Sequence, residues 1–188
     1  MKLPLHIFEP RYKEMVGRCL EEKIPFGMLL ATTSSAAKVG CTADIVQKIR
    51  DYPDGRMDIL AEGRAVFRLL EVFDERSYYE GLAEFVTDEQ TPLKPEKEEQ
   101  LLASFHQCHM LLFGQPWSDP SAANAGILSY RMAALLPMEL PERQQLLEMR
   151  SEGERRDRVF EWLNTFLPKL NEREQARKRA GGNGHALN

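Results

Sequence analysis

The sequence predicts an α+β protein in which a strand-rich part is followed by a helical one, and three observations carry that expectation. One amphipathic helix lies near the start, with Tyr12, Met15, Val16, Cys19 and Leu20 at helical spacing. Short apolar runs at close spacing then follow as far as Thr87, punctuated by Gly, Pro and Asp-Gly signals. Beyond Pro92 and Pro95 the periodicity turns helical and stays so to Phe166. Several short strands so close together point to a small barrel or sandwich.

Each element has its own signal. Pro10 suits a first helical position and Glu9 puts a carboxylate at the positive end of the helix dipole, while Pro25 closes the segment. Phe26–Thr32 reads as a strand and Thr33–Ala37 as a loop. A second strand lies within Val39–Arg50. Pro53-Asp54-Gly55 marks a turn, because Asp-Gly accepts positive φ. Met57–Ala61 and Arg64–Phe73 read as two strands broken at Glu62-Gly63. Tyr78–Thr87 is the last, with Tyr79, Gly81, Ala83 and Phe85 on one face. In the helical part, Glu96–Phe113 carries Leu101, Leu102, Phe105, His109 and Leu112 on one side. Gly114–Ala123 is a loop with caps at Ser118 and Ser121, and Ala125–Leu135 a short helix before Pro137. Glu142–Met149 and a last helix from about Ser151 to Phe166 follow, the latter stopped at Pro168 with Val159, Trp162, Leu163 and Phe166 as its stripe. The expected division is 1–92, 93–168 and a disordered basic tail, 169–188.

Charge narrows the function classes. The net charge is −4, and the balance is acidic everywhere except from Lys169 onward, where five Lys+Arg face two Asp+Glu. Phosphate neutralisation supplies most nucleic-acid affinity, so DNA or RNA is not the expected main partner. The three cysteines, Cys19, Cys41 and Cys108, have no metal or redox spacing, which suits a reducing cytoplasm. No apolar run approaches the roughly 20 residues of a membrane span.

Leu3-Pro4-Leu5-His6-Ile7-Phe8-Glu9-Pro10-Arg11-Tyr12 resembles the signature of the amino-terminal, substrate-binding domain of the ATP-dependent Lon proteases. The similarity continues through Ile45–Gln47, Pro-Asp-Gly, Glu62-Gly63-Arg64, Leu135–Met138, Glu142–Met149 and Arg155–Leu163. It implies a PUA-like β-barrel followed by a helical bundle, in a stand-alone form that binds protein or unfolded peptide. His6, Phe8, Glu9, Pro10, Arg11 and Tyr12 are the family signature and are read as architectural. Family members usually carry a further apolar strand before it. A late start is the favoured expectation; the other two are a barrel lacking an edge and a second chain supplying it, since an uncovered edge invites pairing and oligomerisation.

Chemistry-bearing motifs are few. There is no G-x-x-x-x-G-K-[ST] phosphate loop and no cofactor motif, so neither ATPase activity nor a cofactor is expected. Ser34-Ser35 near Lys38 has hydroxyl and amine together, as any Ser/Ala loop can. His106, Cys108 and His109 are metal-ligand types on one helix, but no second cluster completes a site. Trp117, in a loop between helices, is either packing or a partner contact. The expectation is a non-catalytic, cytoplasmic protein- or peptide-binding module, an adaptor or regulator in proteolysis. The alternative is an RNA-binding PUA-like protein.

Overall fold

A computed structural model describes residues 2–31, 35–89, 95–118 and 128–182. The chain divides into two compact units, Met1–Thr87 and Asp88–Asn188.

The first unit contains β1 (Lys2–Ile7), α1 (Pro10–Glu22), β2 (Phe26–Ala31), β3 (Ala36–Asp51), β4 (Met57–Phe73) and β5 (Glu80–Phe85). Pro10 occupies the first turn of α1, and Lys23 closes the helix in the left-handed conformation at φ 57°, two residues before Pro25. Val16 and Cys19 face a core completed by Ile7, Phe26, Ala43, Ile59 and Ala61. All strand pairs are antiparallel. Glu62-Gly63 does not interrupt β4, which runs unbroken for 17 residues. Its first half pairs with β1 (Leu5 opposite Ile59) and its second half with β5 (Leu69 opposite Ala83). Most of its length, from Met57 to Arg68, pairs with β3.

The sheet order is β1-β4-β3-β2, with β5 beside β4. The closed barrel expected from the sequence is therefore not what the described strands form. β1 and β5 take successive stretches of one edge of β4, and β2 has only β3 as partner, so the path stays open. Curvature comes from bulges and small residues. The ring of Phe67 lies where a side chain on Gly40 would sit: a Cβ there would be 2.8 Å from Phe67 Cζ and 2.4 Å from the Met28 carbonyl oxygen. Pro53-Asp54-Gly55 makes the predicted turn, with Gly55 at φ +80° and its N–H donating to the Tyr52 carbonyl at 2.9 Å.

The second unit contains α2 (Pro95–Phe113), α3 (Leu128–Leu135), α4 (Leu140–Glu148) and α5 (Glu152–Gly182). Its core joins Leu101, Phe105, Cys108, Met132, Leu136, Leu146, Val159 and Leu163. Burial pushes the Cys108 thiol up to about 11. Ser151 caps α5 by accepting from the Glu154 N–H at 3.3 Å. Glu142 bonds the Glu139 N–H at 2.8 Å and the Trp162 indole at 3.1 Å, tying α4 to α5.

The last helix departs from expectation. It passes Pro168 and continues to Gly182, so the basic segment taken as a disordered tail is helical that far; 183–188 lie outside the described residues. An interior proline costs a backbone bond and about 3 kcal/mol. Here Leu167 and Leu170 extend the buried face of Val159 and Leu163 past the proline, and that burial holds the helix together. From Asn171 to Arg179 no side chain is buried.

The first turn of α5 carries a buried cation, Arg155, fully shielded from solvent. It donates to Asp88 through both Nη atoms, to Glu152 Oε2 from Nη2 at 3.0 Å, to Ser129 Oγ at 3.0 Å and to the Met149 carbonyl at 3.0 Å. Burial works against its charge, but Asp88, Tyr130 and Glu152 outweigh that and raise its pKa. Arg156 joins the network through Glu152 and Glu98, each at 2.8 Å.

Leu163→Ala should cost on the order of 2–5 kcal/mol in urea unfolding, through lost burial and the cavity left behind. Phe166→Ala should cost less, since Phe166 is only half-buried against Trp162. Arg155→Ala, which removes the fully buried cation shared by Asp88 and Glu152 and its packing, should cost roughly 3–5 kcal/mol in the same measurement. Removing residues 174–188 should leave the melting temperature nearly unchanged.

Candidate functional site

The signature residues gather where β1 leads into α1. His6 lies directly opposite Asp58 across the β1–β4 ladder. Its Nδ1 is 2.6 Å from Asp58 Oδ1, and the Tyr52 hydroxyl donates to Asp58 Oδ2 at 2.8 Å. An ionised carboxylate only accepts, so His6 carries its proton on Nδ1 in this arrangement. Hydrogen bonds from His6 and then from Tyr52 hold the Asp58 carboxyl below the usual carboxylate range. The same bond to Asp58 pushes the Tyr52 phenol up. His6 stacks on Phe8 at 6.0 Å and meets Tyr52 edge-on at 5.7 Å, while the guanidinium groups of Arg50 and Arg56 lie over the Tyr52 ring.

Glu9 caps α1 by position without a side-chain bond to the helix backbone; its carboxylate instead accepts from the side chain of Arg11, through Nε at 2.8 Å. Arg11 in turn lies over the Tyr12 ring at 4.5 Å. Lys13 donates to the Asp54 carbonyl at 3.0 Å, fastening α1 to the β3–β4 turn. The corner thus combines cross-strand pairing, a helix start and a turn. Sequence reasoning picked out His6 and Arg11 but missed Tyr52 and Asp58, whose only signal was their position beside a predicted turn.

Phe8 is exposed at this corner, and the far end of the same sheet exposes more apolar surface. On the β4–β5 hairpin, Leu70, Val72, Leu82 and Phe85 are each more than half exposed, as is Tyr79 just before β5. Isolated exposed apolar residues are ordinary, but several on one short hairpin are more than a scattered surface needs.

In the second unit Trp117 is half-buried. Its ring meets Phe105 edge-on at 5.0 Å and His106 at 5.7 Å, so the loop aromatic packs onto α2. His109 is buried and its Nδ1 bonds the Gln115 carbonyl at 2.9 Å, which fixes the proton on that nitrogen. Cys108 faces the core. These three residue types therefore have packing partners, and among the described residues no group of three or more His, Cys, Asp or Glu is placed to hold a metal. Ser34 and Ser121 lie outside the described residues.

The described residues thus form an open antiparallel sheet with one helix, followed by a helical unit built on a long final helix. The chain belongs to the family of the ATP-dependent protease La (Lon) substrate-binding domain, whose model matches residues 1–165. It is similar to the Lon protease of Buchnera aphidicola subsp. Baizongia pistaciae, 26% identical over 79% of this chain. It is also similar to that of Brucella suis biovar 1, 24% identical over 93% of this chain. It spans only 20% and 24% of the length of these two curated relatives. Among solved structures, a Lon N-terminal domain protein from Xanthomonas campestris has a TM-score of 0.67 at 23% identity, covering 86% of this chain and 89% of that one. The N-terminal domain of the Mycobacterium avium complex Lon protease has a TM-score of 0.57 at 12% identity, covering 87% and 90%. At these identities the structures speak for the fold. No helix among the described residues is long and apolar enough to cross a membrane.

The lowered Asp58 carboxyl gives a pH dependence with a definite sign. A depressed folded-state pKa stabilises the fold above the ordinary carboxylate range, and that contribution disappears as pH falls through the lower, folded value. Asp58→Asn should therefore flatten the acid limb of the melting temperature against pH, and His6→Ala should do so in part. An unaltered acid limb in both variants would mean that the corner contributes nothing to acid stability.

Proposed function

We propose that this protein is a non-catalytic binding module for protein or unfolded peptide, acting as an adaptor or regulator near a proteolytic machine in the cytoplasm. Membership in a substrate-binding family gives the class. The observation that carries the reading to this chain is the set of apolar side chains that the β4–β5 hairpin leaves exposed, Val72 and Phe85 on one face and Leu82 on the other, with Leu70 at the bulge between Leu69 and Glu71. In this reading the unit is a PUA-like framework. The signature residues His6, Phe8, Glu9, Pro10, Arg11 and Tyr12 are architectural, orienting α1 on the sheet, and Trp117 is a packing residue rather than a contact.

Composition and surface favour peptide over RNA. The hairpin that exposes apolar side chains also exposes Glu71 and Glu84, and carboxylates repel phosphate. No cofactor and no nucleotide enter this reading, because binding alone accounts for the groups at the surface.

The direct test is binding of a permanently unfolded model polypeptide, such as reduced and carboxymethylated lactalbumin, against its native form. Fluorescence anisotropy should show the unfolded chain binding and the native one not. The purified protein should neither hydrolyse ATP nor cleave casein. Equal affinity for native and unfolded chains, or reproducible ATP-dependent cleavage by a clean preparation, would overturn the proposal.

A further inference from the structure

The two faces of the β4–β5 hairpin differ in chemistry, and the register states how. Phe67 lies opposite Phe85, Leu69 opposite Ala83 and Val72 opposite Gly81. Directly paired residues share a face, so one side of the hairpin is apolar along its whole length. Phe67 is buried, Leu69 and Ala83 are half-buried, and Val72 and Phe85 are open to solvent. A side chain on Gly81 would lie 2.7 Å from the Leu69 methyl, so Leu69 covers that position. The opposite face pairs Arg68 with Glu84, Glu71 with Leu82 and Phe73 with Glu80. This face carries three carboxylates, Glu71, Glu80 and Glu84, against one cation, Arg68, with Leu82 and Phe73 between them.

The carboxylates are not equivalent. Glu80 already holds Arg18 at 2.5 Å and Arg76 at 3.1 Å. Glu71 and Glu84 are exposed and make no ion pair within 4.0 Å among the described residues. Beyond β5 lies a free edge: among the described strands it pairs only with β4. Its start is tied to α1 through Glu80, leaving Leu82–Phe85 as the open stretch. The other outer strands are poorer sites. β1 carries Pro4, which in an edge strand turns its donorless nitrogen outward. β2 exposes no large apolar side chain beyond Met28.

We propose that the free edge of β5 takes an extended polypeptide segment as an added strand, and that it selects segments in which apolar and basic residues alternate. The inference rests on the peptide-binding reading above and names the substrate class for it. Backbone groups of β5 supply sequence-independent hydrogen bonds, and the side chains of the incoming strand supply the selectivity. Every second residue of that strand falls beside Phe85 and Ala83, where apolar groups gain by burial. The residues between fall beside Glu84 and Leu82, where a lysine or arginine meets an unpaired carboxylate while its stem covers the leucine.

Three short peptides of matched length are the probes: alternating valine and lysine, alternating valine and glutamate, and valine and lysine in separate blocks. The first should bind at least about tenfold more tightly than the other two, a difference of about 1.4 kcal/mol. Phe85→Ser with Val72→Ser should weaken it by about tenfold or more. Glu71→Lys with Glu84→Lys should reverse the preference toward the glutamate peptide. All four positions are exposed, so the fold tolerates the changes, and thermal melts verify that. Amide hydrogen exchange should show new protection along β5. If the unfolded lactalbumin chain binds wild type but neither double variant alters peptide binding, the β5 assignment is wrong and the peptide-binding function stands. If wild type binds no unfolded polypeptide at all, the function itself is wrong and this inference falls with it. Protection confined to strands other than β5 also overturns it.

Discussion

Backbone hydrogen bonding along β4 sets the geometry of the strand-rich unit. A strand interior to a sheet must satisfy donors and acceptors on both sides, and β4 does so with three partners: β3 along one edge, β1 and then β5 along the other. The signature corner and the exposed hairpin are therefore two ends of one strand. His6 meets Asp58 because β1 pairs with the first half of β4, and Phe85 meets Phe67 because β5 pairs with the second. Gly40 completes the arrangement by letting the Phe67 ring settle against the backbone of β2 and β3. A larger residue there would have to displace either a carbonyl or the ring.

The helical unit depends on a different kind of constraint. A buried guanidinium is tolerated only when its donors are met, and Arg155 finds acceptors on Asp88, Ser129, Met149 and Glu152. These belong to the entering chain, to α3, to the residue just after α4 and to α5 itself. The network orders the places where the helical core begins, while Leu163, Leu167 and Leu170 carry the apolar burial along α5. Asp88 and Glu89, which links to Ser151 in a short bridge, show why this unit begins ahead of the prolines that mark a linker in the sequence.

Much of this was legible in the residues. Tyr12–Leu20 spacing gave the first helix, Pro-Asp-Gly gave the turn, and the ten-residue signature gave the family. Other features were misread for identifiable reasons. Glu62-Gly63 looks like a break, but the ladder to β3 and β1 carries β4 across it. Pro168 looks like a stop, but burial of the leucines beyond it outweighs the lost backbone bond. Many short strands at close spacing predict a barrel; closure depends on which edges meet, and that is not a local property. The site was only half visible. His6 and Arg11 stood out by motif, whereas Tyr52, Asp58 and the hairpin faces matter through residues far away in sequence.

The sequence by itself therefore determined the order of strand-rich and helical parts, the Pro-Asp-Gly turn, the start of the first helix at Pro10, and the family. These rest on periodicities and short motifs that act within a few residues. Only the tertiary structure decided the register of the strands, the open sheet path, the length of α5 and the partners of Arg155. Each of those is a contest between local preference and the pairing or burial offered by distant residues. A bulge that shifts β4 by one residue against β5 sets which side chains share a face, and so where Leu82 and Glu84 stand relative to Val72 and Phe85.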